Sequence, residues 1–200
     1  MSEALDLDAY FERIGIESRG AANLATLSEI HEAHVRAVPF ENLDVALSRP
    51  IAIDLASVFA KIVLSRRGGY CFEQNTLFRA VLEAVGFTAE LLEARVRRAA
   101  DVSAPRTHAL VLVSLPEGPY VADVGFGAGG LLRPLPLSEG ALEEQDGLSC
   151  GIVMRGERWV YAMKEPGAAA DGFCPRYDFT LERPLPIDLT MANHFTSTHP

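Results

Sequence analysis

Three residues of this 200-residue sequence could together carry out covalent catalysis: Cys71, His108 and Asp123. Cys71 lies one residue beyond a pair of glycines and opens a segment of helical periodicity, in the stretch RRGGYCFEQN. A helix N-terminus carries partial positive charge, so a cysteine placed there is favoured as the nucleophilic thiolate. Gly68 and Gly69 permit a tight turn and leave room for an approaching substrate. Buried structural cysteines are also common, so position alone leaves both roles open.

A nucleophilic thiol needs a base, and the base needs a third group that orients it. His108 opens the segment THALVLVSL and Asp123 lies in YVADVG, and both segments alternate as β-strands do. A turn at PEGP would pair Leu112 with Asp123 and place His108 on the same face of the hairpin. That register separates His108 from Asp123 by about 13 Å, because strands rise about 3.3 Å per residue. A different turn or a bulge would have to close the gap.

Helical periodicity dominates the first 86 residues. The spacing predicts one helix with a capping box at Thr26 that ends before Pro39, and a second that begins at Asp54. A third helix begins at or near Cys71, and Gly86 lies where a left-handed C-terminal cap would fall. The predicted nucleophile therefore stands at the start of a helix.

The pattern changes after residue 86 to short alternating segments separated by glycine and proline, which is typical of antiparallel strands. We therefore predict an α+β protein. A helical bundle over residues 1–86 carries the cysteine, and an antiparallel β-barrel over residues 87–200 carries the histidine and the aspartate. The segment EPGAAADG, residues 165–172, is predicted to be an exposed loop.

The composition excludes several functional classes. A chain with 48% hydrophobic and 22% charged residues is typical of a globular protein, and its net charge of -9 argues against nucleic-acid binding. The N-terminus lacks the basic start and apolar run of a signal peptide, and no apolar stretch is long enough to cross a bilayer. We therefore expect a cytoplasmic protein with a small-molecule partner and no membrane partner.

Metal and disulfide sites are not supported. The three cysteines, Cys71, Cys150 and Cys174, are widely spaced and form no C-x-x-C pair. His31 and His34 in HEAH are three residues apart, whereas the zinc-binding pattern H-E-x-x-H is one residue longer, and no third ligand is evident. We expect free thiols and no metal.

The sequence resembles the arylamine N-acetyltransferases. RGGYCFEQN resembles the family's R-G-G-x-C nucleophile motif, THALVLV its histidine strand and VADVGFG its aspartate strand, in the family's order. VPFENLD and the closing NHFTSTHP also resemble family segments. The resemblance implies that Cys71 accepts the acetyl group, that His108 is its base and that Asp123 orients His108. It also implies a helical bundle followed by a β-barrel, with a triad arranged as in cysteine proteases of the papain type.

The resemblance implies acetyl-coenzyme A as co-substrate and an arylamine, arylhydrazine or arylhydroxylamine as acceptor, in a ping-pong reaction through acetyl-cysteine. For coenzyme A it implies contacts from Thr107, Gly125, Phe126, Gly127 and Gly129. For the acceptor it implies an aromatic slot formed by Phe40, Phe72, Phe126 and Phe195. The arginines at 95, 97, 98 and 106 form a basic cluster, which either attracts coenzyme A phosphates or is a solvated strand face.

Family members continue beyond the NHFTSTHP segment into a third, α/β domain that covers the cleft, whereas this sequence stops at Pro200. From this difference we expect an absent lid, impaired turnover and weaker coenzyme A binding. Surface that such a lid would cover offers a route to self-association. Two alternatives stay open: a thiol hydrolase or peptidase with the same triad, and an inactive lid-less fragment that only binds a ligand or a partner.

Overall fold

The computed structural model describes residues 5–17, 20–97, 104–164 and 172–199. Its helices are α1 (Leu7–Ile14), α2 (Leu24–Ala37), α3 (Leu43–Ala46), α4 (Leu55–Phe59), α5 (Cys71–Val85) and α6 (Pro186–Thr198), and a π-helical turn (Ala60–Leu64) continues α4. Its strands are β1 (Thr88–Val96), β2 (His108–Leu115), β3 (Gly118–Ala122), β4 (Leu135–Pro136), β5 (Ala141–Gln145), β6 (Leu148–Arg155), β7 (Arg158–Lys164) and β8 (Phe173–Phe179). Of the loop predicted at residues 165–172, all but the last residue lies outside the described part.

The eight strands form one antiparallel sheet in the order β4-β3-β2-β1-β8-β7-β6-β5. The two edge strands, β4 and β5, contact each other, so the sheet curls into a nearly closed barrel. The predicted fold class, helices followed by an antiparallel barrel, is confirmed. One element was not predicted: residues 186–198 form a helix, α6, with proline in its first turn and the Asp188 carboxylate accepting the Leu185 N–H.

The hairpin that carries His108 and Asp123 turns more tightly than predicted. Residues 116–117 alone connect β2 to β3, so Leu112 pairs with Val121 and the predicted pairing of Leu112 with Asp123 is wrong by two residues. Side chains alternate with a period of two, so this shift keeps His108 and Asp123 on one face. It also halves their separation along the strand to about 7 Å, because each residue rises about 3.3 Å.

The helix ends show which local signals were correct. Asn23 caps α2 by accepting the Thr26 N–H, so the helix starts earlier than predicted and the capping box at Thr26 is wrong. Asp54 caps α4 as predicted. Helix α5 begins at Cys71 and ends at Gly86, whose φ of 112° is left-handed, and both ends are as predicted.

The core fixes the helices against the sheet. Helix α5 packs across β1 and β2, and its Phe78 and Val81 are fully buried with Val111 and Val113 of β2. A second apolar cluster fills the barrel interior between β1, β2 and β6–β8. Packing of α5 on β2 brings the first residue of the helix to the first residue of the strand, where the candidate site forms.

Candidate active site

The turn into α5 presents Cys71 through close backbone packing. Gly69 pairs with Phe40 in an isolated parallel bridge. A Cβ at Gly68 would lie 2.1 Å from the Pro39 carbonyl oxygen, so only glycine fits there. The Glu73 carboxylate accepts the Tyr70 N–H at 3.0 Å and caps the helix. Gly68 is therefore required by an approaching backbone segment.

Cys71, His108 and Asp123 come together at the mouth of this turn. His108 Nε2 lies 2.7 Å from Asp123 Oδ2, and both side chains are almost completely buried. The Cys71 thiol and His108 line the same cavity, and the thiol is near enough to the imidazole to raise its pKa. The thiol also lies 3.7 Å from the Thr107 carbonyl oxygen. The imidazole is thus bonded to the carboxylate and lies beside the thiol.

The electrostatics favour a charged His108. Burial alone would lower the pKa of His108, but the Asp123 carboxylate and the Cys71 thiol raise the pKa to about 10. Burial would raise the pKa of Asp123, yet His108, Asn75 and the Gly125 N–H hold it below its ordinary value. The site is therefore built to hold a proton on the imidazole beside the sulfur.

Asn75, one helical turn after Cys71, fastens the carboxylate to the helix. Its amide nitrogen donates to Asp123 Oδ1 at 3.0 Å and to the Ala109 carbonyl at 2.7 Å, and its oxygen accepts the Val124 N–H at 3.2 Å. The Gly125 N–H also donates to Asp123 Oδ1, at 3.0 Å. Asn75 was missed in the sequence, although its i+4 spacing from Cys71 could have indicated it.

The two histidines of HEAH point to different partners. His31 contacts the Asp123 N–H and the Leu132 carbonyl. His34 contacts the Tyr10 hydroxyl at 2.7 Å and Gln74 Oε1 at 3.2 Å. Across the described residues, no cluster of three or more His, Cys, Asp and Glu side chains could hold a metal ion. Both histidines are part of the hydrogen-bonded support of the site.

A partly buried group of charges adjoins the nucleophile turn. Lys61 Nζ is 2.7 Å from the Glu73 carboxylate and 2.8 Å from Asp44, and Arg67 is 2.7 Å from Glu41 and 3.0 Å from Asp44. The π-helical turn carries Lys61 into this group. Because Glu73 also caps α5, the lysine stabilises the turn that presents Cys71.

A cavity of about 520 Å³ opens onto the thiol. Its lining includes Cys71 and His108, together with five residues predicted for ligand contact, namely Phe40, Thr107, Gly125, Phe126 and Phe195. Phe40 and Phe195 are 46% and 42% exposed, so they stand at the rim, while the Phe126 ring packs edge-on against His108 at 5.1 Å. Helix α6 reaches the same rim, because Tyr70 donates a hydrogen bond to Asn193. The cavity is aromatic and reaches the sulfur.

Phe72 does not reach this cavity. It is 1% exposed and packs in a small core with Ala109, because one residue along a helix turns the side chain by about 100° from Cys71. Its place in the predicted aromatic slot is therefore wrong, and Tyr70 lines the cavity instead.

The glycine-rich loop after Asp123 divides between two cavities. Gly127 lies against the Phe40 ring and lines a neighbouring cavity of about 400 Å³, which shares Phe40 and Phe126 with the first. Gly129 lies outside both linings, and its carbonyl accepts the Tyr161 hydroxyl. The N–H groups of Gly125 and Gly130 bond within the chain. The structure therefore brings Gly125 to the thiol but not Gly127 or Gly129.

The described arginines of the predicted basic cluster pair with other groups of the same chain. Arg97 pairs with the buried Asp178. Arg106 pairs with Glu182 at 2.7 Å, and Arg95 donates to a backbone carbonyl. Arg98 lies outside the described residues. The three described arginines hold strand ends together, so the structure does not support a phosphate-attracting patch.

Comparison with known proteins places these observations in a family. A family model described as N-acetyltransferase matches residues 23–200. An arylamine N-acetyltransferase from Mycolicibacterium smegmatis is 39% identical over 98% of this chain and 72% of its own length. This chain belongs to the arylamine N-acetyltransferase family. Arylamine N-acetyltransferase structures share its fold: one from M. smegmatis aligns with a TM-score of 0.91 at 39% identity, over 98% of this chain and 73% of that one.

A second structural relative carries information on a ligand. The arylamine N-acetyltransferase from Mycobacterium marinum in complex with CoA aligns with a TM-score of 0.90 at 31% identity, over 98% of this chain and 72% of that chain. Members of the family are acyltransferases, so the predicted enzyme class is confirmed. In the described ranges of this family member, every helix is too short or too polar to span a membrane.

Proposed function

We propose that this chain transfers an acetyl group from acetyl-coenzyme A to an arylamine, and that Cys71 carries the acetyl group between them. One observation carries the proposal: a buried imidazole and carboxylate adjoin a thiol that faces an aromatic-rimmed cavity. Family membership supports the reaction class, and the M. marinum complex supports coenzyme A as the molecule that brings the acetyl group.

In the first half-reaction the Cys71 sulfur attacks the carbonyl carbon of the acetyl thioester. The bond from that carbon to the coenzyme A sulfur breaks as the bond to Cys71 forms. His108, held protonated by Asp123, gives its proton to the departing sulfur. One thioester replaces another, so the step is nearly balanced in free energy. The positive end of α5 stabilises the negative charge that develops.

In the second half-reaction the amine nitrogen attacks the carbonyl carbon of acetyl-Cys71. His108 takes the proton that the nitrogen loses, the carbon–sulfur bond breaks, and Cys71 returns as the anion beside the imidazolium. Phe40, Phe126 and Phe195 would contact the flat ring of the acceptor, since aromatic rings favour edge and offset contacts with one another. Thr107 at the cavity wall would contact the coenzyme.

Mass spectrometry of the protein after exposure to acetyl-coenzyme A tests the proposal. We expect one acetyl group on the peptide that contains Cys71, and its transfer to aniline on addition of that amine. Cys71→Ser should stay unacetylated, whereas Cys150→Ser, a buried thiol away from the triad, should behave as the wild type. Acetyl loss to water at the same rate with and without aniline would instead identify a thiol hydrolase.

A further inference from the structure

His31 is a buried histidine for which the proposed reaction gives no role. Its side chain is completely buried in α2, and its ring packs edge-on against Phe78 at 5.5 Å. Nε2 accepts the backbone N–H of Asp123 at 3.0 Å, and Nδ1 lies 3.0 Å from the Leu132 carbonyl oxygen. A carbonyl can only accept, so Nδ1 must carry the proton and Nε2 the lone pair. Both contacts thus require one neutral tautomer.

Asp123 needs such a partner because of its place in the sheet. Strand β3 ends at Ala122, so the ladder with β2 stops one residue before Asp123. The carboxylate is held by His108, Asn75 and the Gly125 N–H. The backbone N–H is held by His31 of helix α2. Asp123 is therefore fixed at both its side chain and its main chain.

We propose that His31 is a positioning residue whose Nε2 lone pair fixes the Asp123 backbone, and through it the carboxylate that holds His108. The inference rests on the proposed function only in taking acetyl transfer as the reaction that the triad performs. Loss of Nε2 leaves the Asp123 N–H buried without an acceptor, and the strand end must shift to find one. A displacement of about 1 Å at a catalytic group can cost roughly 100-fold in rate.

Three substitutions of His31 separate its two contacts. A glutamine side-chain oxygen reaches as far as Nε2, so His31→Gln can still accept the Asp123 N–H. An asparagine amide reaches only as far as Nδ1, so His31→Asn can bond Leu132 alone. His31→Leu retains neither bond. The pair of polar variants decides the question even if the leucine variant fails to fold.

The measurement is the rate at which iodoacetamide alkylates Cys71, determined by peptide mapping across a pH series. Alkylation needs neither acetyl-coenzyme A nor an amine, so the measurement does not depend on the proposed reaction. We expect His31→Asn and His31→Leu to alkylate about tenfold or more slowly at neutral pH and to lose the downfield NMR signal of the His108–Asp123 proton. His31→Gln should stay within about threefold of the wild type and keep the signal. Ile30→Val, a core change on the same helix, controls for lost stability.

The outcomes are distinct. A folded His31→Leu or His31→Asn protein with wild-type alkylation and NMR signal overturns the positioning role. Rescue by asparagine and not by glutamine also overturns it, because the Leu132 contact would then be the important one. Failure of the wild type to transfer acetyl, with the glutamine and asparagine difference intact, would refute the proposed function and leave the positioning role standing.

Discussion

Replacing Gly125 with alanine tests how closely the loop after Asp123 must approach the nucleophile. A Cβ at this position would lie 2.7 Å from the Cys71 Cα, 2.8 Å from Asn75 Nδ2 and 3.2 Å from the Cys71 carbonyl oxygen. Ordinary contact begins at 3.4 Å, so the two backbones must separate by about 0.7 Å. We expect Gly125→Ala to lower the free energy of unfolding by about 1–3 kcal/mol. Acetyl transfer should fall by a factor approaching 100, because the sulfur moves relative to His108.

The assay compares two glycines that are equally crowded but differently placed. In Gly151→Ala the new Cβ meets the Ala141 carbonyl at 2.5 Å and the Leu142 side chain at 2.6 Å, in a strand pair that does not line the reactive cavity. Urea unfolding gives the stability of each variant, and acetyl transfer is corrected for the folded fraction. Gly151→Ala should lose stability and keep its transfer rate. A folded Gly125→Ala protein with wild-type transfer would refute the close-approach reasoning.

Three further predictions follow from the charges of the site. Asp123→Asn should keep the fold, as judged by circular dichroism, and lower acetyl transfer by up to about 10,000-fold, because His108 loses both its orientation and its counter-charge; near-normal transfer would reduce Asp123 to a structural residue. The free energy of unfolding, measured in urea, should peak near pH 6.5: the His108 pKa of about 10 makes its contribution complete below 6.5 and lost as the pH rises through 10. On the acid side, burial lowers the pKa values of the two α2 histidines to about 4 and about 3, so stability is lost as the pH falls below 6.5; a flat profile from 6.5 to 10 would contradict a charged His108. Lys61→Met should lower the free energy of unfolding by about 3–5 kcal/mol, because it leaves the buried Glu73 carboxylate without its counter-charge. The added change Glu73→Gln should restore part of the loss, and an unchanged urea midpoint in the single variant would exclude a stabilising role for Lys61.

Structural features that depend on one short stretch of sequence could be predicted. Cys71 one residue beyond a pair of glycines, with helical periodicity up to Gly86, correctly gave both ends of α5. The alternation of THALVLVSL correctly gave β2, and parity placed His108 and Asp123 on one face. These predictions succeeded because backbone propensity and side-chain periodicity are local properties.

Features that depend on distant contacts were not readable. The number of residues in the β2–β3 turn set the distance between His108 and Asp123, and no local signal distinguished two residues from four. The partners that hold Asp123 lie far away in sequence: Asn75 is 48 residues and His31 is 92 residues distant. The resemblance assigned Phe72 to the cavity, but the direction of its side chain depends on how α5 packs. Tertiary packing decided each of these points.

The sulfur and its activating groups come from different stretches of the chain, with Cys71 at the start of α5 and His108 and Asp123 on a hairpin made later during synthesis. Until that hairpin docks on the helix, the nascent chain carries an unactivated thiol. Activation of the thiol therefore requires that this hairpin has docked on the helix, and a molecule in which the two have separated carries an ordinary cysteine. The rate of Cys71 alkylation therefore reports whether the barrel has docked on the helices.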